Sequence, residues 1–575
     1  MSDLLLLKWS ETLIPLRRVA LLYFVNAYTW HNLWITLAAL LFFYLCYLAG
    51  DLVLRRLGAD LPSASLRAVL KVLAGYGVFG VAGLLLALLG YFESAPLRLF
   101  ALAVVVASAK TIRTHLAAAA FAIRRPKRLG AALGTAFSGA PVLKAAIAVW
   151  LALNFFILFV PVTGYDALDY HLPIMNDLSN ERRLTFNPEI ASYRYLPVFA
   201  EVSYAVPMTI FGNDFPPGAP SVFGPGESLK ARIPVFNGGA APFVFQLIPY
   251  ALLILFLVLV YDFLIRRVRW PFLAAAAVIG VLAIFDLERE VMHGGYVDVL
   301  VFLFGLASTF LIIEYGEAQR PQPRWLLLSA LFVGVALGMK YLALFFLAIN
   351  GLFLLAAAWR QSPSWPALIR QLLTYALVAA AIPAFWYAKN LVWFGNPVYP
   401  MFSDPEFARA LEFFIAPRTP ANFVLFPYHL FAQRFTNPDE TASRLVVLAY
   451  FALAYFLIVA LALRRERFGR AAIQLFVFAE LFLLFAFLTS HHIRYLLPAV
   501  MVLPMLLALL LDRFYRRAGE WSVLTRRTLV SGSRLAMIAA AIVLLLGNIH
   551  YFHIRFNYIT GTYSLERYLG DIGWQ

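Results

Sequence analysis

A short polar passage follows directly on an apolar run that fills residues 143–162. It occupies residues 165–173 (YDALDYHLP) and carries two carboxylates and one imidazole. Ionisable groups at the mouth of a membrane helix are costly, so their presence there indicates function. Asp166 and Asp169 share a face if this stretch is helical, with Tyr170 on the side of Asp166. Such a carboxylate can deprotonate a hydroxyl acceptor or bind a divalent cation.

Each of these residues also has a structural interpretation. Aspartate is a good helix cap, and for Asp169 capping and catalysis both stay open. Asp166 is favoured as the catalytic base because it comes first after the apolar run. A lone histidine beside Pro173 is commonly a packed loop residue, although His171 could bind a phosphate or contact an acceptor.

Further ionisable residues fall at the ends of apolar segments. Asp298 begins a segment and should face the bundle interior, either in a site or in an ion pair with Arg289 or Lys340. Arg494 is a good phosphate ligand, because a guanidinium makes forked hydrogen bonds to phosphate oxygens. We expect the substrate to contact a larger set of residues, namely His171, Arg194, Glu201, Asp298, Lys340, Lys389, His492, Arg494 and Tyr495. Taken singly, each basic residue could instead anchor the chain at the membrane interface.

These residues together predict one cavity with carboxylates on one wall and cations on another. That arrangement suits a substrate with a phosphate leaving group and a hydroxyl nucleophile. Metal binding by His491 and His492 is only weakly indicated, because adjacent histidines point apart on a helix. The chain has no GxxxxGK[ST] phosphate loop and no GxGxxG turn, so energy must enter with the substrate.

The composition predicts an integral membrane protein. Of 575 residues, 62% are hydrophobic and 14% are charged, whereas soluble domains average about 45–50% and about 25%. Solid apolar runs indicate spanning helices rather than barrel strands. The net charge of +16 fits basic cytoplasmic loops, and no soluble basic domain suggests nucleic-acid binding. The single cysteine, Cys46, excludes an intramolecular disulfide.

About 20 apolar residues make one span. The sequence predicts an all-α polytopic bundle of about 11–14 transmembrane helices, at 34–53, 67–91, 97–122, 143–162, 241–265, 271–287, 296–314, 325–340, 342–359, 368–393, 445–463, 471–489, 495–512 and 535–550. Clusters of arginine and lysine fall at alternate ends, and the positive-inside rule assigns those ends to the cytoplasm.

This assignment leaves two long loops, 163–240 and 394–444, on the outer side with the tail 551–575. The first loop should carry short amphipathic helices over 166–184 and 196–211, the second of which could lie flat on the membrane. Residues 3–30 are apolar but interrupted, which is typical of an interfacial helix or a re-entrant segment.

Several of these passages resemble the C superfamily of membrane glycosyltransferases (GT-C), which includes protein O-mannosyltransferases and the lipid A aminoarabinose transferases. The resembling features cover about residues 143–512, and they are YDALDYHLP with Asp166, Arg194-Tyr195-Leu196-Pro197 with Glu201, Gly295 to Asp298, Lys389-Asn390 with Gly395 to Pro400, and Arg494-Tyr495 to Pro498.

The resemblance implies a GT-C-like catalytic core at 143–512, preceded by about three extra helices in 1–142 and followed by a basic loop, a last helix and an outer tail in 513–575. It implies inverting transfer of a sugar from a polyprenyl-phosphate donor, with Asp166 as the base, on the extracytoplasmic side of the plasma (inner) membrane. Arg494, with Lys340 or Lys389, would hold the phosphate. The acceptor could be a lipid, a glycan or a protein.

The chain departs from the family where many relatives carry an Asp-Glu pair, because it has Asp166-Ala167. This departure leaves the acceptor and any divalent cation open, and no other cofactor is expected. Three other functions also stay open, and one of them is a non-catalytic membrane scaffold, which would not need a lined cavity. A polyprenyl-linked glycan polymerase or ligase would depend on outer arginines without an essential aspartate. A secondary transporter would have inverted repeats and broken helices at the midplane.

Overall fold

A computed structural model gives the structure of this protein. It describes residues 27–125, 138–156, 158–160, 162–186, 195–212, 241–284, 296–319, 322–361, 364–403, 417–426, 428–429, 438–489, 493–517, 523–559 and 563–571. Across these ranges every regular element is a helix. The predicted all-α polytopic class is therefore confirmed.

The helices follow one another along the chain as α1 (Ala27–Leu57), α2 (Ala64–Leu89), α3 (Ser94–Ala107), α4 (Ala109–Ile123), α5 (Pro141–Phe156), a π-helical turn (Ala167–His171), α6 (Leu172–Glu181), α7 (Phe199–Phe211), α8 (Ala241–Ile265), α9 (Pro271–Leu282), α10 (Asp298–Glu317), α11 (Pro323–Met339), α12 (Ala343–Gln361), α13 (Trp365–Ala381), α14 (Ala384–Phe394), α15 (Pro420–Val424), α16 (Pro438–Leu463), α17 (Arg470–Thr489), α18 (Ile493–Arg517), α19 (Val523–Ile559) and α20 (Leu565–Asp571).

The part of the chain that the structure describes contains eight to ten helices that are long and apolar enough to cross a membrane. Within the described ranges, eight are long and apolar enough, and they lie in α1, α2, α8, α10, α12, α17, α18 and α19. Two bent pairs raise the number to at most ten, and the other predicted spans correspond to shorter apolar helices. The higher prediction of 11–14 arose because hydropathy counts apolar residues without registering where a helix stops.

Both bent pairs were predicted as single spans. The pair α3 and α4 bends by 68° at Ser108, and Thr111 at the start of α4 donates to Asp51 of α1 over 2.9 Å. The pair α13 and α14 bends by 79° ahead of Ala384, next to Pro383, which removes a backbone donor from the helix.

The apolar run at 143–162 is also not one continuous helix. Helix α5 ends at Phe156, and the residues described between it and Gly164 are not helical. Proline at position 161 disfavours helix in the residue before it. The run is held by hydrogen bonds from α8, where Gln246 Nε2 donates to the Val160 carbonyl over 2.9 Å.

The predicted helix at 196–211 forms as α7 but does not lie on the membrane surface. Nearly all of its residues are buried, and it packs against α2. A Cβ atom placed on Gly80 of α2 would be 2.5 Å from the Phe199 ring and from Ser203 Oγ. Glycine at this crossing therefore lets the two helices approach closely. The expectation of an amphipathic surface helix is wrong for α7.

Buried hydrogen bonds join four helices in the middle of the bundle. Ser308 of α10 bonds Ser329 of α11 over 2.8 Å and Tyr375 of α13 over 3.2 Å. Asn350 of α12 donates to Ser308 over 2.9 Å and accepts from Thr309 over 2.8 Å. Polar side chains bonded across helices in an apolar medium fix how the helices pack.

The two ends of α10 lie in different surroundings. Its C-terminal end carries Glu314 and Glu317, which pair with Arg266 over 2.7 Å and with Arg267 over 2.6 Å. Its first residue, Asp298, contacts Lys340 and Arg494 instead. At about 1.5 Å per residue, the 20 residues of α10 extend about 30 Å, the thickness of a bilayer core. The predicted basic clusters and the predicted site residues therefore occupy opposite ends of one spanning helix.

Candidate active site

The polar passage 165–173 folds as a tight helical unit. Asp166 stands before the π-helical turn Ala167–His171, and α6 follows with Pro173 in its first turn. The Asp166 side chain makes no capping hydrogen bond to the backbone. Capping therefore does not account for Asp166, and its carboxylate turns to other partners. π-helical turns of this kind occur frequently at functional sites.

Asp166 contacts Arg494 directly. Arg494 Nη2 lies 2.8 Å from Asp166 Oδ2, and the Tyr170 hydroxyl donates to the same oxygen over 3.3 Å. Within the described residues, the other carboxylate oxygen, Oδ1, has no hydrogen-bond partner. The Asp166 side chain is 18% exposed. One oxygen is thus held by two donors while the second is available to a ligand.

Tyr170 remains a hydrogen-bond donor over the ordinary pH range. Burial raises its pKa well above the usual value, and the nearby carboxylate of Asp166 raises it further. The neutral hydroxyl is therefore the stable form beside Asp166. The predicted placement of Tyr170 on the side of Asp166 is confirmed by their hydrogen bond.

Asp298 forms the buried part of the same cluster. Its side chain is fully buried, with Oδ1 2.8 Å from Lys340 Nζ and Oδ2 3.7 Å from Arg494 Nε. Asp298 therefore makes the predicted internal ion pair with Lys340. The other predicted partner, Arg289, lies outside the described residues. We call Asp166, Tyr170, Asp298, Lys340 and Arg494 the Asp166 cluster.

Aromatic rings lie against the two cations of this cluster. The Arg494 guanidinium lies 4.8 Å from the Tyr296 ring centre and 5.7 Å from that of Tyr495. Lys340 Nζ lies 5.5 Å from the Tyr495 ring. The predicted residue Tyr495 therefore lies beside both cations.

His171 and Glu201 make a second acid–base pair next to the cluster. His171 Nδ1 lies 2.5 Å from Glu201 Oε1, and both side chains are buried. The His171 ring contacts the Tyr170 ring at a centroid distance of 4.1 Å. Glu201 of α7 reaches His171 because α7 packs against α6, which begins directly after His171. A carboxylate bonded to one ring nitrogen fixes the orientation of the imidazole.

Asn390 joins three segments near the cluster. Its Nδ2 donates to the carbonyls of Tyr195 and Tyr399, each over 3.1 Å, and to the Tyr341 hydroxyl over 2.8 Å. Tyr341 follows Lys340 directly, so this amide links the Lys389-Asn390 passage to the Asp166 cluster. Asn390 and Tyr170 are missing from the predicted site residues. The four-residue spacing of Tyr170 from Asp166 was a usable signal for the tyrosine.

Lys389 lies apart from these ion pairs. Its ammonium is 4.4 Å from the Phe186 ring centre, 5.1 Å from that of Trp393 and 5.3 Å from that of Tyr195. The structure therefore brings Asp166, Asp298, Lys340, Arg494 and Tyr495 together, with His171 and Glu201 adjacent, and surrounds Lys389 with aromatic rings.

The structure gives less information on the remaining predicted site residues, Asp169, Arg194 and His492. Asp169 lies inside the π-helical turn and is partly buried. Arg194 and His492 lie outside the described residues, as do residues 3–26 and the loop 213–240. Among the residues that the structure describes, no group of three or more His, Cys, Asp or Glu side chains is placed to hold a metal ion.

Comparison with known proteins gives a distant structural likeness. No protein-family model matches the chain, and no curated protein matches it. A search of solved structures finds the crystal structure of ArnT from Cupriavidus metallidurans bound to undecaprenyl phosphate. The match has a TM-score of 0.46 and 14% sequence identity, and it covers 76% of this chain and 78% of that chain.

Proposed function

We propose that this protein is an inverting membrane glycosyltransferase. It moves a sugar from a polyprenyl-phosphate donor to a hydroxyl acceptor on the extracytoplasmic side, with Asp166 as the base. The observation that carries the proposal is the 2.8 Å contact between the partly exposed Asp166 and Arg494. Two residues that are far apart in the sequence thus place a proton acceptor, Asp166, beside a group that can bind phosphate, Arg494. The donor class comes from the sequence resemblance to the GT-C superfamily.

The two oxygens of Asp166 suggest a division of labour. Arg494 and Tyr170 hold Oδ2, so Oδ1 is the atom that accepts the proton from the acceptor hydroxyl. The acceptor oxygen then forms a bond to the anomeric carbon while the bond from that carbon to the phosphate oxygen breaks. The bonding pair leaves with the lipid phosphate. A single displacement of this kind needs one base and no second carboxylate at roughly 5 Å.

Arg494 is suited to stabilise the leaving phosphate. It is 13% exposed, and carboxylates on two sides, Asp166 and Asp298, fix its position before any substrate binds. A fixed cation at the point where negative charge develops lowers the barrier without reorganisation. Lys340 is engaged by the fully buried Asp298, so we assign it to holding Asp298 in place beside Arg494.

The charge at the two ends of the long apolar helices supports a reaction on the extracytoplasmic side. Helix α18 carries Arg494 near its start and ends with Arg516 and Arg517, which pair with Asp512 and Glu466. Helix α10 likewise runs from Asp298 to the arginine-paired Glu317. Basic clusters mark the cytoplasmic ends of spans. The opposite end, with the Asp166 cluster, would therefore face away from the cytoplasm.

The test is release of free lipid phosphate from radiolabelled lipid-phosphate sugars by the purified protein. We expect Asp166→Asn to lower turnover by about 10² to 10⁴, the usual contribution of a general base. Asp169→Asn is the comparison variant, because it removes a carboxylate of the same polar passage three residues away, and a much smaller loss of turnover than in Asp166→Asn would assign the base to Asp166 rather than to Asp169. Turnover unchanged in Asp166→Asn but lost in Arg494→Ala would favour the glycan polymerase or ligase instead. No release from any donor by the unmodified protein would remove the proposal.

A further inference from the structure

Helix α4 projects from the helix bundle. It turns by 68° relative to α3, and of its 15 residues, all of which the structure describes, only Thr111 is buried. Its first two turns contact α1, where Thr111 donates to Asp51 over 2.9 Å and the His115 ring lies 5.4 Å from the Tyr47 ring. The residues beyond His115 are mostly exposed. Packing against the bundle therefore does not explain why this helix is apolar along much of its length.

Helix α4 begins at the end of the bundle that lies away from the Asp166 cluster. Arg55, in the last turn of α1, donates to Thr111 over 2.5 Å. The chain just after α1 is held by α11, where Trp325 donates to the Asp60 carbonyl over 2.8 Å. From Trp325, α11 runs to Lys340 over about 22 Å, at about 1.5 Å per residue. Since a bilayer core is about 30 Å thick, α4 starts near the membrane boundary opposite the cluster.

Two exposed faces run along α4, which contains no acidic residue. By their helical spacing, Lys110, Arg113 and Arg124 lie on one side of the axis, and all three are exposed. Arg124 directly follows α4 and keeps helical backbone angles. Leu116 and Ile123 lie on another side and are 65% and 79% exposed. We call the three cations the basic face of α4. A basic face beside an apolar face is typical of helices that lie in the plane of a membrane surface.

The basic face differs from other cations at this end of the bundle. Arg55 pairs with Asp51 over 2.5 Å, and Arg266 pairs with Glu314 over 2.7 Å. In the part of the chain that the structure describes, no carboxylate lies within ion-pair distance of the basic face. The basic face is therefore available to an anion from outside the chain. Its cations lie on the surface, where a ligand contacts them without entering the protein.

We propose that α4 lies in the membrane interface and that its basic face binds the phosphate groups of anionic phospholipids. The leaflet concerned is the one opposite the Asp166 cluster. Leu116 and Ile123 enter the acyl region, while the cations meet the head groups. The apolar face decides the kind of partner, because an acidic soluble ligand would leave both side chains in water. The inference does not depend on the proposed glycosyltransferase function.

The experiment places a fluorophore on α4 and quenches it with lipid. The full chain with Leu116→Cys is labelled with bimane in nanodiscs of phosphatidylglycerol and phosphatidylcholine in equal amounts, and the native Cys46 is buried. The acyl chains of one lipid or the other are brominated. We expect quenching by both lipids, because position 116 lies in the membrane. The quenching constant should be at least about twofold larger for brominated phosphatidylglycerol, because cations near the surface attract anionic lipid.

Removal of positive charge from the basic face should remove this preference. The combination of Lys110→Gln and Arg113→Gln should bring the ratio of the two quenching constants to about one, whereas Arg113→Lys should keep the ratio of the unmodified chain. About 1 M salt should also lower the ratio, because the Debye length falls to about 3 Å.

Two controls separate α4 from the rest of the chain. Arg67→Gln removes an exposed charge that pairs with Asp60 over 3.3 Å, and it should leave the ratio unchanged. Bimane at Leu102→Cys, a position 56% exposed on α3, should be quenched equally by the two lipids. Thermal unfolding of each variant shows whether the fold is retained. If Leu116→Cys does not fold, Ile123→Cys takes its place with the same expected ratios.

Three results would overturn the inference. Absence of quenching by either lipid would place α4 in water, as a surface for an acidic soluble partner. Equal quenching by the two lipids in the chain with its basic face intact would reduce α4 to an apolar anchor. A preference for phosphatidylglycerol that persists in the folded Lys110→Gln and Arg113→Gln combination would assign it to other cations. None of these measurements involves transfer activity, so failure of the proposed glycosyltransferase function would leave them unaffected.

Discussion

Asp166 and Asp298 are both carboxylates bound to cations, yet their environments differ. Asp166 is partly exposed and shares only Oδ2 with Arg494 and Tyr170, whereas Asp298 is fully buried between Lys340 and Arg494. A base must reach a substrate hydroxyl within hydrogen-bond distance. The exposure of Asp166 therefore distinguishes it, as the proposed base, from Asp298, which we propose positions Lys340 and Arg494.

Tyr170 should support catalysis through Asp166 without touching the substrate. We expect Tyr170→Phe to lower kcat about 10- to 160-fold, because a hydrogen bond to a charged group contributes about 1.5–3 kcal/mol. KM for the donor should change little, because no donor contact is lost. Steady-state kinetics of both constants checks this. A change in KM alone would contradict the assigned role.

The buried pair of Asp298 and Lys340 makes a prediction about stability. Asp298→Asn or Lys340→Met should each cost about 3–5 kcal/mol, because each breaks an ion pair whose carboxylate is fully buried. The double variant should lose less than the sum of the two, since neither charge remains. Unfolding of the protein in detergent measures all three. Asp60→Asn is the control, because Asp60 pairs with Arg67 at an exposed position and should change stability by less than about 1 kcal/mol.

At the scale of single residues, the sequence identifies much of the Asp166 cluster but does not show how its members pair. Order along the chain and position at segment ends selected Asp166, Asp298, Lys340 and Arg494, because ionisable groups in an apolar context are conspicuous. Their pairing depends on which helix ends meet, which no local pattern records. Asn390 belongs to a passage that resembles the family but is not among the predicted site residues, because a neutral amide carries no comparable cost. Its contacts with three segments emerge only in the folded chain. The catalytic and binding roles themselves stay predictions.

The helices bring these residues together, and in two places they do so because a predicted span ends or bends. Helix α5 stops at Phe156 and leaves non-helical chain before Asp166, while α13 and α14 bend by 79° and bring Lys389 under the aromatic rings. Hydropathy predicted continuous spans in both places because the residues beyond each break remain apolar. The break at Pro383 was readable from the sequence, whereas the bend at Ser108 depends on contacts with α1.

The crossing of α2 and α7 gives a test of packing at the level of elements. Gly80→Val should destabilise the protein by about 1–3 kcal/mol, because its Cβ alone would lie 2.5 Å from Phe199 and Ser203. Displacement of α7 should also move Glu201 from His171. Gly351→Ala is the matched control, since a Cβ added there would meet no atom within 4 Å and α12 should gain slightly in stability. Equal thermal shifts in the two variants would contradict the close-packed crossing.

At the scale of the whole molecule, the Asp166 cluster and the arginine clusters lie at opposite ends of the same long helices. Spanning helices α10 and α18 each join the Asp166 cluster to an arginine-rich end about one bilayer thickness away. The sequence predicts the membrane orientation from charge alone, and this orientation stays a prediction. The number of spans depends in addition on breaks inside the apolar runs, and eight to ten helices within the described residues are long and apolar enough to cross a membrane. The proposed division at residues 142 and 512 remains a prediction.

Cysteine labelling in intact cells tests this polarity. The native Cys46 is buried and should give little background. Tyr165→Cys, at a position 58% exposed beside Asp166, should react with a membrane-impermeant maleimide added from outside. Asp60→Cys lies in the exposed turn after α1, near the predicted cytoplasmic Arg55 and Arg56, and should react only after the membrane is permeabilised. The reverse labelling pattern would place the Asp166 cluster on the cytoplasmic side. It would contradict the proposed extracytoplasmic reaction, and the geometry of the cluster would be unchanged.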